Sequence, residues 1–259
     1  MSVRRKLSSL LAGVALAATF VIAGAANVGA ATNGTCSGGT IAPGTYANLT
    51  VIGFCTVDGG DVTVQNNLKV ASTGALNALF AESKLTIGGN LIVDTGGLLA
   101  LGCDPEEFAC FDNPGGTSHH SIVGNLIADG AVLMIIHDNR IGGNVEQAGG
   151  GVGFSCNELF PNGPPAYTDY ANNNIGGSAT VTGLRTCWAG FSHNTVSGSV
   201  RLIDNQTAID DGNLADGNHI GGNFTCLGNS PAPHLSDGPV KTLNVVGGTA
   251  RGQCTVISA

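Results

Sequence analysis

The chain has 259 residues, of which 41 are glycine, 8 are cysteine, 42% are hydrophobic and only 11% are charged. This composition excludes a coiled coil and a charged disordered tail, and it supplies enough apolar residues for a sizeable core. The formal net charge of −8 disfavours nucleic acid as a partner, because an acidic surface repels phosphates.

The first 31 residues predict a secretory signal peptide. Three basic residues at 4–6 precede an apolar stretch at 10–26, and small residues at 28–30 offer a signal-peptidase site. A membrane anchor is the alternative, since the stretch approaches the roughly 20 residues that span a bilayer. We expect cleavage, no stable membrane anchor, and a secreted, extracellular protein in which 32–259 form a single domain. The mature chain would keep 7 basic and 18 acidic residues, a net charge of −11.

One five-residue phrase, Ile-Gly-Gly-Asn followed by an apolar residue, recurs through the mature chain. It occurs with variations at 87–91, 122–126, 141–145, 175–179, 196–200 and 220–224, with weaker copies at 64–68 and 246–250. Alternating Val, Ile, Leu and Thr on both sides of each phrase predict short strands. Strand, bend and strand repeated at this period predict a right-handed parallel β-helix of about seven to nine coils. Two longer intervals predict inserted loops, one holding Cys103 to Cys110 and one holding Cys156 to Tyr170.

The Gly-Gly-Asn between two strands predicts a sharp bend, because glycine adopts positive φ without steric cost and asparagine tolerates it. A second mark, an asparagine two residues before the Ile or Val, occurs at Asn139, Asn173, Asn194 and Asn218. Stacked coils would place these amides about 4.8 Å apart, so we expect an asparagine ladder. A polar row that binds ligands is the alternative.

The sequence leaves open the structure of residues 75–84 and the choice between a β-helix and a β-sandwich. Residues 75–84 contain enough Ala, Leu and Glu to suggest a helix, and we interpret them as a surface turn. A β-sandwich is the rival fold, and it would show hairpins without a column of identical bends.

All 8 cysteines follow the predicted cleavage site, and export would place them where disulfides persist. If each coil touches only its neighbours, pairing between cysteines nearest in sequence follows. The predicted pairs are Cys36–Cys55, Cys103–Cys110, Cys156–Cys187 and Cys226–Cys254. Zinc is the competing interpretation, and the lack of any C-x-x-C pair disfavours it. We expect the first and last pairs to clamp the two ends of the stack.

Several segments together resemble a family of secreted bacterial β-helix proteins with pectin-lyase-like architecture. They are the opening CSGGT at 36–40, the repeated Asn-x-Ile-Gly-Gly-Asn, LRTCW at 184–188 and CLGNSPAP at 226–233. The likeness covers essentially the whole mature chain. It implies an exported, disulfide-bonded β-helix, and it carries no reaction or ligand over to any residue.

Paired carboxylates suggest an enzymatic alternative, a polysaccharide lyase or glycoside hydrolase of the pectin-lyase-like superfamily. Asp210 and Asp211, followed by His219, faintly resemble the polygalacturonase site, since two carboxylates can divide the acid and base roles. The sequence departs from that pattern because it lacks the Asn-Thr-Asp, Gly-His-Gly and Arg-x-Lys that surround such a pair. We therefore expect a solvated loop at this position and no catalysis.

The aromatic residues favour recognition. Tyr167, Tyr170 and Trp188 gather the only tryptophan and two of the three tyrosines, next to Arg185 and in or beside the second insertion. Rings with a polar tip stack on sugars or mark protein interfaces. The alternative is that they pack over the open side of the stack. We expect a structural or recognition protein at or near the bacterial cell envelope that binds carbohydrate or protein.

No cofactor or metal is expected, because the 6 histidines fall at unrelated offsets from the repeat. A third class of function, self-assembly into filaments through the ends of the stack, stays open because uncapped strands template pairing. The predicted terminal disulfides disfavour it.

Overall fold

The computed structural model describes residues 31–106, 108–151, 167–236 and 241–259. These ranges contain 28 β-strands and one short 3₁₀ helix, η1 (Gln253–Val256). Ala31–Ala259 forms one compact unit. Residues 1–30 of the predicted signal peptide lie outside the described residues.

The strands are short, since each is bounded by glycine, asparagine or aspartate that ends the alternating pattern. The N-terminal part holds β1 (Thr32–Cys36), β2 (Gly39–Thr40), β3 (Gly44–Val51), β4 (Phe54–Thr56), β5 (Val62–Val64), β6 (Leu68–Val70), β7 (Ala75–Ala78), β8 (Leu85–Ile87), β9 (Leu91–Val93) and β10 (Leu98–Leu101). The middle part holds β11 (Ser121–Ile122), β12 (Leu126–Asp129), β13 (Leu133–His137), β14 (Arg140–Ile141), β15 (Val145–Ala148), β16 (Tyr167–Ala171), β17 (Asn174–Ile175), β18 (Ala179–Thr182) and β19 (Arg185–Thr186). The C-terminal part holds β20 (Trp188–Ser192), β21 (Thr195–Val196), β22 (Val200–Ile203), β23 (Gln206–Thr207), β24 (Asn213–Asp216), β25 (His219–Ile220), β26 (Phe224–Leu227), β27 (Val245–Val246) and β28 (Ala250–Gly252).

The chain visits three long parallel sheets in turn, and β19 and β23 pair in a further, two-stranded parallel sheet. This winding confirms the predicted parallel β-helix. The first sheet stacks β5, β8, β11, β14, β17, β21, β25 and β27 on the first half of β3. The second sheet stacks β6, β9, β12, β15, β18, β22, β26 and β28 on the second half of β3, with β1 on its other side. The third sheet is β2, β4, β7, β10, β13, β16, β20 and β24. The nine successive pairings of the second sheet define nine coils, in agreement with the expected seven to nine.

The register places like residues over like, which a β-sandwich would not do. Ile87 pairs with Ile122, and Ile122 pairs with Ile141. Every second side chain of a strand enters one continuous core, as Leu91 and Val93 do on β9. This alternation is the physical reason that the repeat specifies the fold, since a one-residue slip would turn the apolar set outward.

The interpretation of residues 75–84 as a surface turn was wrong for 75–78, whereas 81–82 do form a bend at the surface. The first four residues of the segment are β7, a strand of the third sheet that places Leu76 and Ala78 in the core. Helix propensity was overridden here by pairing with the strands of two neighbouring coils.

The bends at the Gly-Gly-Asn phrase are real, but the reason first given for their glycines was wrong. None of the described phrase glycines has positive φ; that conformation occurs at other corners, such as Asp138, Asn172 and His193. Glycine is required because neighbouring coils approach closely. A Cβ on Gly143 would lie 2.7 Å from the carbonyl oxygen of Gly124 in the coil before.

The predicted asparagine ladder is confirmed, and it is longer than expected. The inner ladder, as we name it, consists of His120, Asn139, Asn173, Asn194, Asn218 and Asn244, which are all buried. Between Asn139 and Asn244, each backbone N–H donates to the side-chain oxygen of the next coil's asparagine at 2.9 to 3.1 Å. Each asparagine amide also donates to a carbonyl of the third sheet.

His120 occupies the first position of this ladder, although the sequence places it at the end of an inserted loop. Its Nδ1 accepts the N–H of Leu85 at 2.9 Å, so the proton resides on Nε2, which donates to the carbonyl of Ala78 at 2.8 Å. Burial lowers the pKa of His120 to about 4, and the hydrogen bond to Ala78 opposes the shift only in part.

A second ladder, which the sequence analysis missed, follows the fourth position of the phrase, that of its asparagine. The outer ladder consists of Asn48, Asn67, Asn90, Asn125, Asn144, Ser178, Ser199 and Asn223. Each side-chain oxygen accepts the backbone N–H of the following coil, at 2.7 to 3.2 Å. None of its members is fully buried.

Three predicted disulfides are present: Cys36–Cys55, Cys103–Cys110 and Cys226–Cys254. The first and the last lie within the core of the outermost coils. Cys187 is also disulfide-bonded, and its predicted partner Cys156 lies outside the described residues.

Candidate recognition surface

The outer face of the third sheet carries the functional candidates. Inward side chains of this sheet, such as Met134 on β13 and Phe191 on β20, belong to the main core. The alternate side chains point away from it. On β10 and the first part of β13 they are apolar, and on β16 and β20 they are aromatic and acidic.

An apolar groove of about 340 Å³ lies on the N-terminal half of this face. Leu98, Leu133 and Ile135 form its floor, while Phe54 and Phe111 stand on its rim and are 62% and 60% exposed. The floor belongs to a second apolar cluster, separate from the main core. The uninterrupted apolar run at 133–136 was a usable signal, because a strand with no polar alternation is covered on both faces.

The inserted loop at 102–118, hereafter the wall loop, forms one side of the groove. The disulfide Cys103–Cys110 closes it, and the N–H of Phe111 donates to the carbonyl of Leu79 at 3.0 Å. Both carboxylate oxygens of Asp112 accept backbone N–H groups, from Ala81 and from Glu82. These bonds hold the loop against the sheet.

Aromatic rings extend the wall loop toward the next coils. Phe111 makes edge-to-face contacts with Phe80 at 5.9 Å and with Phe108 at 6.4 Å between ring centroids. Phe108 in turn lies 6.1 Å from the ring of His137. The chain of rings therefore connects the groove to the polar part of the face.

The aromatic patch, defined as Tyr167 and Trp188, lies on that polar part. The two residues are register partners on β16 and β20, and their ring centroids are 6.1 Å apart at an angle of 77°. Both rings are half-buried. The indole reaches over Gly190, since a Cβ there would lie 2.6 Å from Cζ3 of Trp188.

A buried His–Asp pair lies beside the patch, and sequence reasoning missed it. His137 Nε2 lies 2.9 Å from Asp169 Oδ2. Among the described residues, no partner is present for His137 Nδ1 or Asp169 Oδ1. Burial, followed by the charge of Asp169, raises the pKa of Tyr167, so its hydroxyl stays protonated. No sequence motif marks the pair, because the second inserted loop separates its members.

Two of the four predicted ligand-binding residues, Tyr170 and Arg185, are buried or already engaged in hydrogen bonds within the protein. Tyr170 is fully buried in the core, where its hydroxyl donates to Gln147 at 2.9 Å, so its assignment to a binding surface was wrong. Burial also raises its pKa. Arg185 uses its guanidinium to donate to the carbonyls of Leu184 and Asp204. Only Tyr167 and Trp188 come together on one outward surface.

The enzymatic alternative is assembled differently from the sequence prediction. Asp210 and Asp211 lie in an exposed turn after β23 and line an open groove of about 560 Å³ together with His234 and Lys241. His219 is not among the residues that line it. Its side chain is exposed on β25 of the first sheet, between Thr195 and Val245.

Within the described ranges, no group of three or more His, Cys, Asp or Glu side chains is arranged to hold a metal ion. No helix among the same residues has the length and hydrophobicity needed to cross a membrane. Comparisons of the chain with protein-family models, with curated proteins and with solved structures each gave no match.

Proposed function

We propose that this protein is an exported, non-catalytic recognition protein that binds neutral carbohydrate at the aromatic patch, at or near the bacterial cell envelope. The observation that carries the proposal is the register pairing of Tyr167 with Trp188, which holds two half-buried rings side by side on an outward face. Aromatic rings of this kind stack on the apolar faces of sugars. The disulfides of the described residues are compatible with an oxidising exterior.

The charge next to the patch selects among sugars. Asp169 lies on the same face of β16, and a carboxylate there repels the uronate groups of acidic polysaccharides. The net charge of the whole chain, −8, acts in the same direction. A neutral sugar is therefore the ligand that this surface favours.

A glycan array tests the proposal with the mature wild type, Trp188→Ala and Phe54→Ser. We expect the wild type to bind neutral glycans, Trp188→Ala to lose at least about tenfold in affinity, and Phe54→Ser to bind like the wild type. The control removes a more exposed ring from another part of the same face. Equally negligible signals from wild type and Trp188→Ala would remove the proposal.

A second candidate function, cleavage of acidic polysaccharides, is favoured by one specific observation. The open groove at the C-terminal end brings two carboxylates, an imidazole and an ammonium group together at Asp210, Asp211, His234 and Lys241. Carboxylates can act as acid and base, and a cation can hold a uronate.

Turnover of polygalacturonate by the wild type, compared with Asp210→Asn and Asp211→Asn, tests this candidate. Product formed by the wild type and lost in both variants would support it. A wild type that forms no product would eliminate it, and this result leaves the carbohydrate-binding proposal untouched.

A further inference from the structure

The apolar groove is preformed and has little polar character. Among the described residues that line it, Asn77 alone is polar, and the Oδ1 atom of Asn77 is already bound by the N–H of Leu79 at 3.1 Å. Its volume, about 340 Å³, lies in the range of small-ligand pockets. The groove therefore favours an apolar ligand group, because the side chains of its floor, Leu98, Leu133 and Ile135, cannot hydrogen-bond to a polar one.

The rim of the groove exposes apolar side chains to water. Phe54 and Phe111 are more than half exposed on opposite elements, one on β4 and one on the wall loop. The disulfide Cys103–Cys110 and the bond from Phe111 N–H to Leu79 keep the wall loop in place. A partner would meet a surface that is already ordered, so binding costs little conformational entropy.

The charge of the wall loop decides what kind of apolar partner fits. The described residues of the wall loop carry three carboxylates, those of Asp104, Glu106 and Asp112, and the loop has no lysine or arginine. Glu82, whose N–H is bound by Asp112, adds a further exposed acid beside the loop. This field repels the carboxylate or phosphate of an anionic lipid and attracts ammonium and guanidinium groups.

We propose that the apolar groove is a docking site for a protein segment in which apolar side chains are flanked by lysine or arginine. The apolar side chains enter between Phe54 and Phe111 and rest on Leu98, Leu133 and Ile135. The flanking cations lie against the wall loop, where charge attraction fixes the direction and speeds the encounter. This site is separate from the aromatic patch and does not depend on the proposed carbohydrate binding.

Binding of synthetic peptides to the mature protein, followed by isothermal titration calorimetry, tests the proposal. The probes are Lys-Lys-Phe-Leu-Phe-Lys-Lys, the same peptide with glutamate in place of lysine, and the same peptide with serine in place of the three apolar residues. Laurate is a fourth probe and represents an anionic lipid. We expect saturable binding of the first peptide and at least about tenfold weaker binding of the other three probes.

Variants show whether the groove is the binding site. Phe54→Ser and Phe111→Ser should each weaken binding of the first peptide at least about tenfold. Val123→Ser, which changes an apolar residue that is 64% exposed on a bend away from the groove, should leave binding unchanged. The proposal is overturned if the first peptide does not bind, if the three variants behave alike, or if laurate binds as tightly. Loss of carbohydrate binding in Trp188→Ala has no effect on these outcomes.

Discussion

The inner and outer ladders run along the same stack, but asparagine makes different side-chain hydrogen bonds in each. Members of the inner ladder are buried, and each Asn from Asn173 to Asn244 accepts one backbone N–H while it donates to a carbonyl of the third sheet. Members of the outer ladder are partly or fully exposed, and for most of them the oxygen is the only atom that the stack uses. Serine can supply that oxygen, as Ser178 and Ser199 do.

The difference shows that the residue type at a ladder position depends on how many side-chain hydrogen bonds that position makes where water cannot reach. A buried position must satisfy donor and acceptor together, which restricts it to asparagine or to a histidine of fixed tautomer such as His120. An exposed position needs only one bond, because water satisfies the remainder. The ladders therefore give matched pairs of substitutions that test this rule.

The largest expected effect is that of Asn194→Ala in the inner ladder. The substitution leaves the N–H of Asn173 and the carbonyl of Tyr170 buried without partners, so we expect a loss of about 3 to 5 kcal/mol in the free energy of unfolding. Urea denaturation of the mature protein measures it. Asn144→Ala in the outer ladder is the matched control, with an expected loss of about 1 kcal/mol. Equal losses in the two variants would break the distinction between the ladders.

The pH dependence of stability should come next in size, through His120. Its folded pKa of about 4 lies below the unfolded value of 6.5, so below pH 6.5 the unfolded chain binds more protons than the folded one. Stability should therefore fall as the pH drops from 6.5 to about 4, by up to about 3 kcal/mol from this residue.

The variant His120→Asn should remove this dependence, because asparagine makes the same two bonds at the other positions of the inner ladder. Denaturation curves of wild type and variant between pH 4 and pH 7 give the contribution as a difference, in which the carboxylates cancel. Parallel pH profiles for the two proteins would contradict the assignment of His120 to the ladder.

A smaller effect is expected for Gly143→Ala at the bend. The added Cβ would press on the carbonyl of Gly124 and on the side chain of Asn125, so the coils must separate there, and we expect a loss of about 2 kcal/mol. Thermal unfolding measures the change. The control is Val123→Ala, because Val123 lies in the phrase of the preceding coil and already carries a side chain. This variant should stay within about 0.5 kcal/mol of the wild type. An alanine tolerated at 143 would show that the close approach of the coils is not the reason for the glycine.

The smallest effect should be that of Asn144→Ser. The serine hydroxyl can accept the N–H of Ser178, just as Ser178 accepts the N–H of Ser199, so we expect a change below about 0.5 kcal/mol. Hydrogen exchange at the amide of Ser178 reports the bond directly. Rapid exchange at that amide in the variant would show that serine does not replace asparagine there.

The sequence predicted those parts of the fold in which each coil constrains the next. The Ile column, the asparagines at 139, 173, 194 and 218 and the pairing Cys36–Cys55 all repeat or pair because neighbouring coils contact one another. The outer ladder was missed because serine replaces asparagine at two of its positions, although the serine side chain still supplies the accepting oxygen. His120 was missed because the search was for asparagine, although His120 stands two residues before Ile122, as the ladder asparagines stand two residues before their Ile or Val.

The surface candidates were predicted less well, and the cause is physical. Outward residues of the third sheet contact solvent or an inserted loop, so no neighbour imposes a repeated letter on Leu133, Asp169 or Trp188. The pair Tyr167 and Trp188 was found because the residues are rare types close in sequence. The proximity of Phe54 and Phe111 could not be predicted from the sequence, because it depends on how the disulfide-closed loop folds over the sheet.

The disulfides Cys36–Cys55 and Cys226–Cys254 each tie an outermost coil to the coil beneath it. A stack whose units contact only adjacent units unzips from its extremities, because a terminal unit has a neighbour on one side alone. With each extremity fastened to its neighbour, a frayed segment remains close to its docking edge and reattaches before a protease can engage it. Resistance to proteases should therefore depend on these two disulfides, and a reducing agent should remove it from both ends of the stack at once.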